Sequence, residues 1–421
     1  MIGVASMRRL FRIITRIELI GVIFWTVILF WGEFWVTSNA ISNCGWTTWE
    51  HWKADARPTR IVVLADPQIV DDNTYPGRPR ALERATEMYS DIYLHRVWTG
   101  IATWLQPDAI IFLGDLFDGG REWKDNFKWE AEYNRFRRIF PDRNVPLYYV
   151  VGNHDIGIGT GVLSETVDRF EKFFGEANGV FELGNHSLVL LDSLSLMNRE
   201  DQSINNKSRK LLQNLATEKP ELPRVLFTHI PLFRPGDANC GSKREGSKSL
   251  PLTKGYQYQT ALDQDLTSEI LTSICPVVIF SGDDHDACEY THEYLNPITS
   301  TLVYTQEFTV KSVSMAMGVW WPGFELISLW NPGQLDYTFQ TKLCVLPSQY
   351  TIWMIYGISA LLTIVTLAVV YLIAISRRPW QAIPDDSLMI RFLKTPVTRE
   401  FFNIGLSALL IYSILIYYCM I

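Results

Sequence analysis

Five short polar islands each follow a short apolar run, and that juxtaposition limits the folds open to this chain. The islands are Asp66-Pro67-Gln68, Gly114-Asp115-Leu116-Phe117-Asp118, Gly152-Asn153-His154-Asp155, Thr228-His229 and Gly282-Asp283-Asp284-His285. They come after Ile61–Ala65, Ile110–Leu113, Tyr148–Val151, Val225-Leu226-Phe227 and Val277–Ser281. Apolar runs this short, with β-branched content, read as buried strands. Oxygen and nitrogen donors at the ends of several such strands converge on one edge of a sheet. That layout builds a cluster of metal ligands.

The intervening sequence reads as helices. A long one is expected from about Arg80 to Leu105, ended by Gln106-Pro107, and another over Glu130–Phe140, ended by Pro141. Others cover Ser164–Phe174, Lys207–Ala216 and Ala261–Ile274, the last stopping before Pro276. Leu188–Leu191, Thr301–Thr305 and Phe324–Leu329 are further strand candidates. Alternation of strands and helices, followed by a β-rich tail, implies an α/β layered sandwich. Residues 231–259 are rich in Gly, Pro, Ser and Lys and directly follow His229. A loop this long inside a compact domain usually carries function.

The formal charge of −7 argues against a nucleic-acid partner. Hydrophobic residues reach 48%, and the excess sits at the two ends. The first apolar stretch runs Leu19–Trp31 and on through Gly32-Glu33 to Val36, behind Arg8, Arg9, Arg12 and Arg16. A cleaved leader would be processed near Ser38-Asn39-Ala40; near-spanning length and bulky aromatics favour an uncleaved anchor. Ile352–Ile375 and Phe401–Ile421 are free of charge and of spanning character. Arg377, Arg378, Arg391, Lys394 and Arg399 lie between them, so the positive-inside rule places that loop and the N-terminus in the cytosol. The expected organisation is a cytosolic N-terminus with a first transmembrane helix (1–40), a lumenal domain (41–349), a second transmembrane helix (350–375), a cytosolic basic loop (376–400) and a third transmembrane helix (401–421). Asn185-His186-Ser187 and Asn206-Lys207-Ser208 are glycan acceptor tripeptides in such a compartment. An oxidising lumen permits Cys44–Cys344 and Cys240–Cys288 pairs, while free buried thiols remain an equal reading.

In order and spacing, the five islands resemble the calcineurin-like metallophosphoesterases. The resemblance covers about residues 60–290 and implies a four-layer sandwich of two mixed sheets flanked by helices. Position by position, it implies one metal ion held by Asp66, Gln68, Asp115 and His285, and a second held by Asp115, Asn153, His229 and Asp283. Asp115 would bridge them, His154 would be the general acid, and Asp118 would orient it. The chemistry has its own logic. Two divalent ions about 3.5–4 Å apart engage a phosphate ester and lower the pKa of a bridging water, whose hydroxide attacks phosphorus in line. The departing alkoxide needs a proton, which an imidazolium can give.

Two positions depart from the family's pattern: Gln68 and Asp283 stand where histidines are usual. Both still offer oxygen, and Asp283 keeps its two-residue spacing to His285. Asp284 is the alternative ligand if the register slips by one. With five oxygen-donor residues and two nitrogens, the set favours Mn²⁺ or Mg²⁺ over zinc. These departures, the stretch Cys240-Gly241…Arg244-Glu245…Gly255–Gln259 and the run Thr309–Gly318 resemble one branch. It comprises the membrane-tethered, Mn²⁺-dependent phosphoesterases of the endoplasmic reticulum, which remove a side-branch ethanolamine phosphate from a mannose of glycosylphosphatidylinositol (GPI) anchors. The branch implies a lipid-linked GPI glycan or GPI-anchored protein as substrate. A broad phosphodiesterase, or a membrane protein with a degenerate site, is the alternative.

Arg244 is a candidate phosphate grip, and Asp284, with Asp286 and Glu289, a candidate for the ammonium of ethanolamine or for support of the metals. Arg234 reads equally as a phosphate grip or a solvated loop residue. His292 reads as a surface residue, and Trp320-Trp321-Pro322 as core packing or as a contact with the bilayer or the lipid-linked glycan.

Overall fold

The computed structural model describes residues 4–333, 337–376 and 396–420. In chain order the strands are β1 (Thr59–Leu64), β2 (Ala109–Leu113), β3 (Leu147–Val150), β4 (Gly179–Leu183), β5 (His186–Leu191), β6 (Arg224–Thr228), β7 (Lys254–Gly255), β8 (Tyr258–Gln259), β9 (Val278–Ser281), β10 (Cys288–Leu295), β11 (Leu302–Thr309), β12 (Gly323–Leu329) and β13 (Phe339–Val345). One sheet has the order β13-β12-β1-β2-β3 and the other β10-β11-β9-β6-β5-β4; β7 and β8 form a small hairpin. Both sheets are mixed. β1, β2 and β3 run parallel, as do β5, β6, β9 and β11, with antiparallel strands added outside each set.

Alternate side chains explain the layers. Ile61, Val63, Ile111 and Leu113 from one sheet share a buried core with Leu188, Val225, Phe227 and Phe280 from the other. The next residues along each strand point the opposite way. Val62, Leu64 and Phe112 join Val97, Trp98, Phe136 and Phe140 of the helices Arg80–Gly100 and Asn126–Ile139 and the residue just after it. Trp98 stacks on Phe112, with ring centroids 6.1 Å apart. On the second sheet Leu191, Leu226 and Ile279 join Leu212, Leu215, Ile270 and Leu271 from the helices Gln202–Thr217 and Gln264–Ile274. The result is the expected four-layer α/β sandwich. Strands buried on both faces must be apolar throughout, which is why β1, β2, β6 and β9 read as continuous runs.

Helix starts differ from the sequence reading where the first turn is polar. Asp125 caps Asn126–Ile139 by accepting from Phe127 N at 2.8 Å, and Asp201 caps Gln202–Thr217 through Ser203 N. The strands β4, β10 and β13 were not expected, and each closes an edge of its sheet. Edge strands carry charge and polarity that blunt further pairing, so Glu289, Glu293 and Lys342 conceal the apolar alternation.

Ile17–Asn43, Gln349–Val370 and Thr398–Ile416 are long and apolar enough to cross a membrane. Residues 40–346 form one compact unit, and the terminal segments form another. Arg377, Arg378, Arg391 and Lys394 of the expected basic loop lie outside the described residues. Both permitted disulfides form, Cys44–Cys344 and Cys240–Cys288, and Cys275 is a free thiol.

Candidate metal centre

Each island begins where a buried strand runs out, and the backbone turns sharply there. Asp66, Gln68, Asp115, Asp283 and His285 all adopt left-handed backbone, with φ of 48°, 37°, 50°, 64° and 66°. A non-glycine residue in that region costs about 1–2 kcal/mol. Such strain gathers at sites where side-chain aim matters more than local stability. Glycines make room for the convergence. A Cβ on Gly152 would lie 2.0 Å from Asp115 N and 2.2 Å from Asp115 Oδ1. Gly152→Ala is therefore expected to displace Asp115 and to cost about 1–3 kcal/mol of stability by overpacking. Metal content measured on the folded variant should fall below that of the unsubstituted protein.

The turns bring together two groups of ligand atoms, Asp66–Asp115–His285 and Asp115–His229–Asp283, with the atoms of each group within 4.8 Å of one another. Asp115 belongs to both. His229 Nδ1 donates to the Leu113 carbonyl at 2.6 Å, which leaves Nε2 as the nitrogen that faces the cluster. That nitrogen lies 3.2 Å from Asp115 Oδ1, 3.7 Å from Asp283 Oδ1 and 3.0 Å from Asn153 Oδ1. The two amide residues are oriented by their nitrogens. Gln68 Nε2 donates to Asp118 Oδ1 at 2.7 Å, and Asn153 Nδ2 donates to the Gln257 carbonyl at 3.1 Å. Asp283, rather than Asp284, joins the cluster.

The donor chemistry fits a pair of cations. Asp66 Oδ2, Gln68 Oε1 and Asp283 Oδ2 are buried acceptors without a hydrogen-bond partner. Unpaired buried acceptors are costly, and a divalent ion satisfies them. Electrostatics agree. Burial, with Asp115 and Asp283 adding to it, pushes the Asp66 carboxyl well above its usual range despite the pull of His229. Burial, with Asp115 and Asp284, pushes Asp283 up to about 7. Burial also works to raise Asp115, but the imidazoles of His229 and His154 hold it below the usual carboxylate range. His229 is raised: burial opposes its charge and the carboxylates of Asp115, Asp66 and Asp283 overcome it. Burial lowers His285 to about 4.

Without cations, protons neutralise this cluster, so metal ions must displace them. Groups raised toward 7 or beyond are deprotonated at high pH and protonated as pH falls, so metal affinity weakens on acidification. Each proton displaced is expected to cost about tenfold in affinity per pH unit. Titration calorimetry of the metal-stripped protein with Mn²⁺ between pH 8 and pH 6 checks it.

His154 stands beside the two groups. Its Nδ1 donates to the Asp118 carbonyl at 2.5 Å and lies 3.3 Å from Asp118 Oδ1, leaving Nε2 as the atom that can hand over a proton. Its backbone N donates to Asp115 Oδ1 at 2.8 Å. Asp118 thus ties Gln68 to His154.

Three further residues shape the site without having been singled out from sequence. Asp155 is buried and accepts from Leu116 N, Phe117 N and Gly152 N, locking the second and third islands together. Gln257, at the tip of the β7–β8 hairpin, orients Asn153 through its carbonyl and accepts from Ile158 N through Oε1. Arg121 donates to the Asn153 carbonyl at 3.0 Å. Asp155 carried a sequence signal as the last member of its island, and Gln257 as part of the stretch Gly255–Gln259 that bears the branch resemblance; Arg121 carried none.

Arg244 and Asp284 are brought together, but on each other. Both terminal nitrogens of Arg244 bond Asp284, and Nε donates to the Ser247 carbonyl. Their charges are spent on this pair instead of standing as separate grips for phosphate and ammonium. Asp286 accepts from the backbone of Glu245 and Gly246 and from Lys311. Arg234 is neither solvated nor turned to the cluster: it is fully buried, with Nη2 2.7 Å from Glu307 Oε1. His292 is also buried, not superficial, and its Nε2 lies 2.6 Å from Glu307 Oε2. One acidic partner on β11 withdraws both from solvent, and it lies too far along the sequence for local reading to see.

Comparison with known proteins agrees with this geometry. Residues 59–287 match the family described as calcineurin-like phosphoesterase. The chain is 42% identical to Cell division control protein 1 of Saccharomyces cerevisiae, over 78% of this chain and 69% of that one. It is 26% identical to the Metallophosphoesterase 1 homolog of Caenorhabditis elegans, over 69% of this chain and 76% of that one. It is 29% identical to Metallophosphoesterase 1 of Mus musculus, over 62% of this chain and 66% of that one.

Proposed function

The chain belongs to the calcineurin-like phosphoesterase family and is a metal-dependent phosphoester hydrolase; from that premise we propose that it is a dinuclear Mn²⁺ phosphodiesterase that removes a side-branch ethanolamine phosphate from a GPI mannose. The observation that carries the reading is the ligand set itself. Gln68 and Asp283 present buried oxygens without partners toward a carboxylate shared by two groups. Oxygen-rich sites select harder ions such as Mn²⁺. When bound, the two ions would supply a water activated near neutral pH and would neutralise phosphate oxygens.

The chain's own residues do the rest. Asp66, Gln68, Asp115 and His285 would hold one ion, and Asp115, Asn153, His229 and Asp283 the other. His154 Nε2 would give a proton to the leaving sugar oxygen, with Nδ1 anchored on Asp118.

The setting supports a lipid-linked substrate. Three candidate spans make this a membrane-associated protein. Tethering beside a membrane-embedded glycan raises its effective concentration. Two disulfides favour an oxidising compartment. We place the catalytic domain in the lumen of the endoplasmic reticulum, where the two acceptor tripeptides would be open to glycans, and the basic loop in the cytosol.

The experiment is release of ethanolamine phosphate from a bilayer-embedded GPI glycan by the purified full chain with Mn²⁺. Release that is lost in Asn153→Ala supports the reading. Cleavage of a soluble phosphodiester alone, with the lipid-linked glycan untouched, would leave the broad phosphodiesterase in its place.

A further inference from the structure

Trp320 and Trp321 are 58% and 48% exposed on the turn before β12. This exposure is built into the fold. Trp320 N and Trp321 N donate to Glu245 Oε2 and Oε1 at 2.9 and 3.1 Å. Glu245 is held by Lys311, a buried cation whose Nζ also donates to Asp286 Oδ1 at 2.7 Å. A buried charge network therefore fixes the backbone of two large aromatic residues at the surface.

The strand register says which end of the domain this is. Leu346 N donates to the Pro322 carbonyl at 2.7 Å, Gly323 pairs with Val345, and Phe324 pairs with Cys344. Cys344 is disulfide-bonded to Cys44. The first candidate span ends at Asn43, one residue before Cys44, and the second begins at Gln349, three residues after Leu346. Three residues reach at most about 11 Å. Cys44 and Leu346, from which the chain passes to the two spans, thus both lie at the end of β12–β13 that carries the Trp320-Trp321 turn. The first turns of the second span bring Tyr350 and Trp353, packed edge to face at 5.7 Å. Tyr and Trp concentrate where a chain enters a membrane, since their rings suit the headgroup level.

We infer that the Trp320-Trp321 turn docks into the headgroup layer of the bilayer that the spans cross, a contact separate from the spans themselves. The partner is the lipid interface, and the inference rests on the spans crossing a bilayer, not on the identity of the substrate.

The test compares the full chain with W320F/W321F, both reconstituted into phosphatidylcholine vesicles carrying a nitroxide near the headgroup. The difference between the two Trp emission spectra reports these two side chains. The difference spectrum is expected to lose most of its intensity to the lipid nitroxide and little to aqueous iodide. Quenching by iodide with no response to the nitroxide would overturn the inference. The Trp residues retained in the variant include Trp25, Trp31 and Trp353 within the spans, so their own quenching by a deep nitroxide reports insertion separately. Phe retains bulk and apolarity, and circular dichroism of the variant should match the parent.

Discussion

Asp115→Asn is expected to lower turnover by about three orders of magnitude or more, because one carboxylate is shared by both ligand groups. The amide keeps one oxygen and can still accept from His154 N, a bond of 2.8 Å in the structure, so the fold should persist. What is lost is the charge that would let two cations approach each other. Elemental analysis of the dialysed variant should show less than the full complement of metal, with circular dichroism unchanged. Full metal content combined with full activity would remove Asp115 from the centre of the account. Neighbouring substitutions should be milder. Asp66 and Asp283 each belong to one group alone, and each leaves the other group intact.

His154→Ala should separate proton donation from metal binding. General acid catalysis contributes about 10²–10⁴-fold for a poor leaving group and little for a good one. Turnover of an alkyl phosphodiester should fall by about that factor, whereas a p-nitrophenyl ester, whose leaving group needs no proton, should be nearly unaffected. Metal content should not change, since His154 lies outside both groups and spends its Nδ1 on Asp118. The measurement is a plot of log rate against leaving-group pKa, steeper in the variant than in the parent. Parallel lines would mean that the His154 side chain does not protonate the leaving group; its backbone bond to Asp115 is kept in the variant.

The site was legible in the sequence to the extent that it is local. Asp66, Asp115, His229 and Asp283 follow apolar runs, and the runs are apolar because β1, β2, β6 and β9 are buried on both faces. What decided between Asp283 and Asp284 was not local. Asp284 turns to Arg244, 40 residues earlier in the chain, and a one-residue slip cannot be seen without that partner. The same holds for Gln257, which reaches Asn153 across 104 residues of sequence. Arg234 and His292 were misjudged for a related reason: polarity reads as exposure unless the partner, here Glu307, is known. The edge strands β10 and β13 show the converse, since residues that guard an edge dilute the period-two signal.

The central claim is a pair of metal ions bridged by Asp115. Electron paramagnetic resonance of the metal-stripped full chain, titrated with Mn²⁺, reads it directly. The account requires a spin-coupled dimanganese spectrum that grows in by two equivalents and is lost in Asp115→Asn. A spectrum of isolated, uncoupled Mn²⁺ at saturation would contradict it.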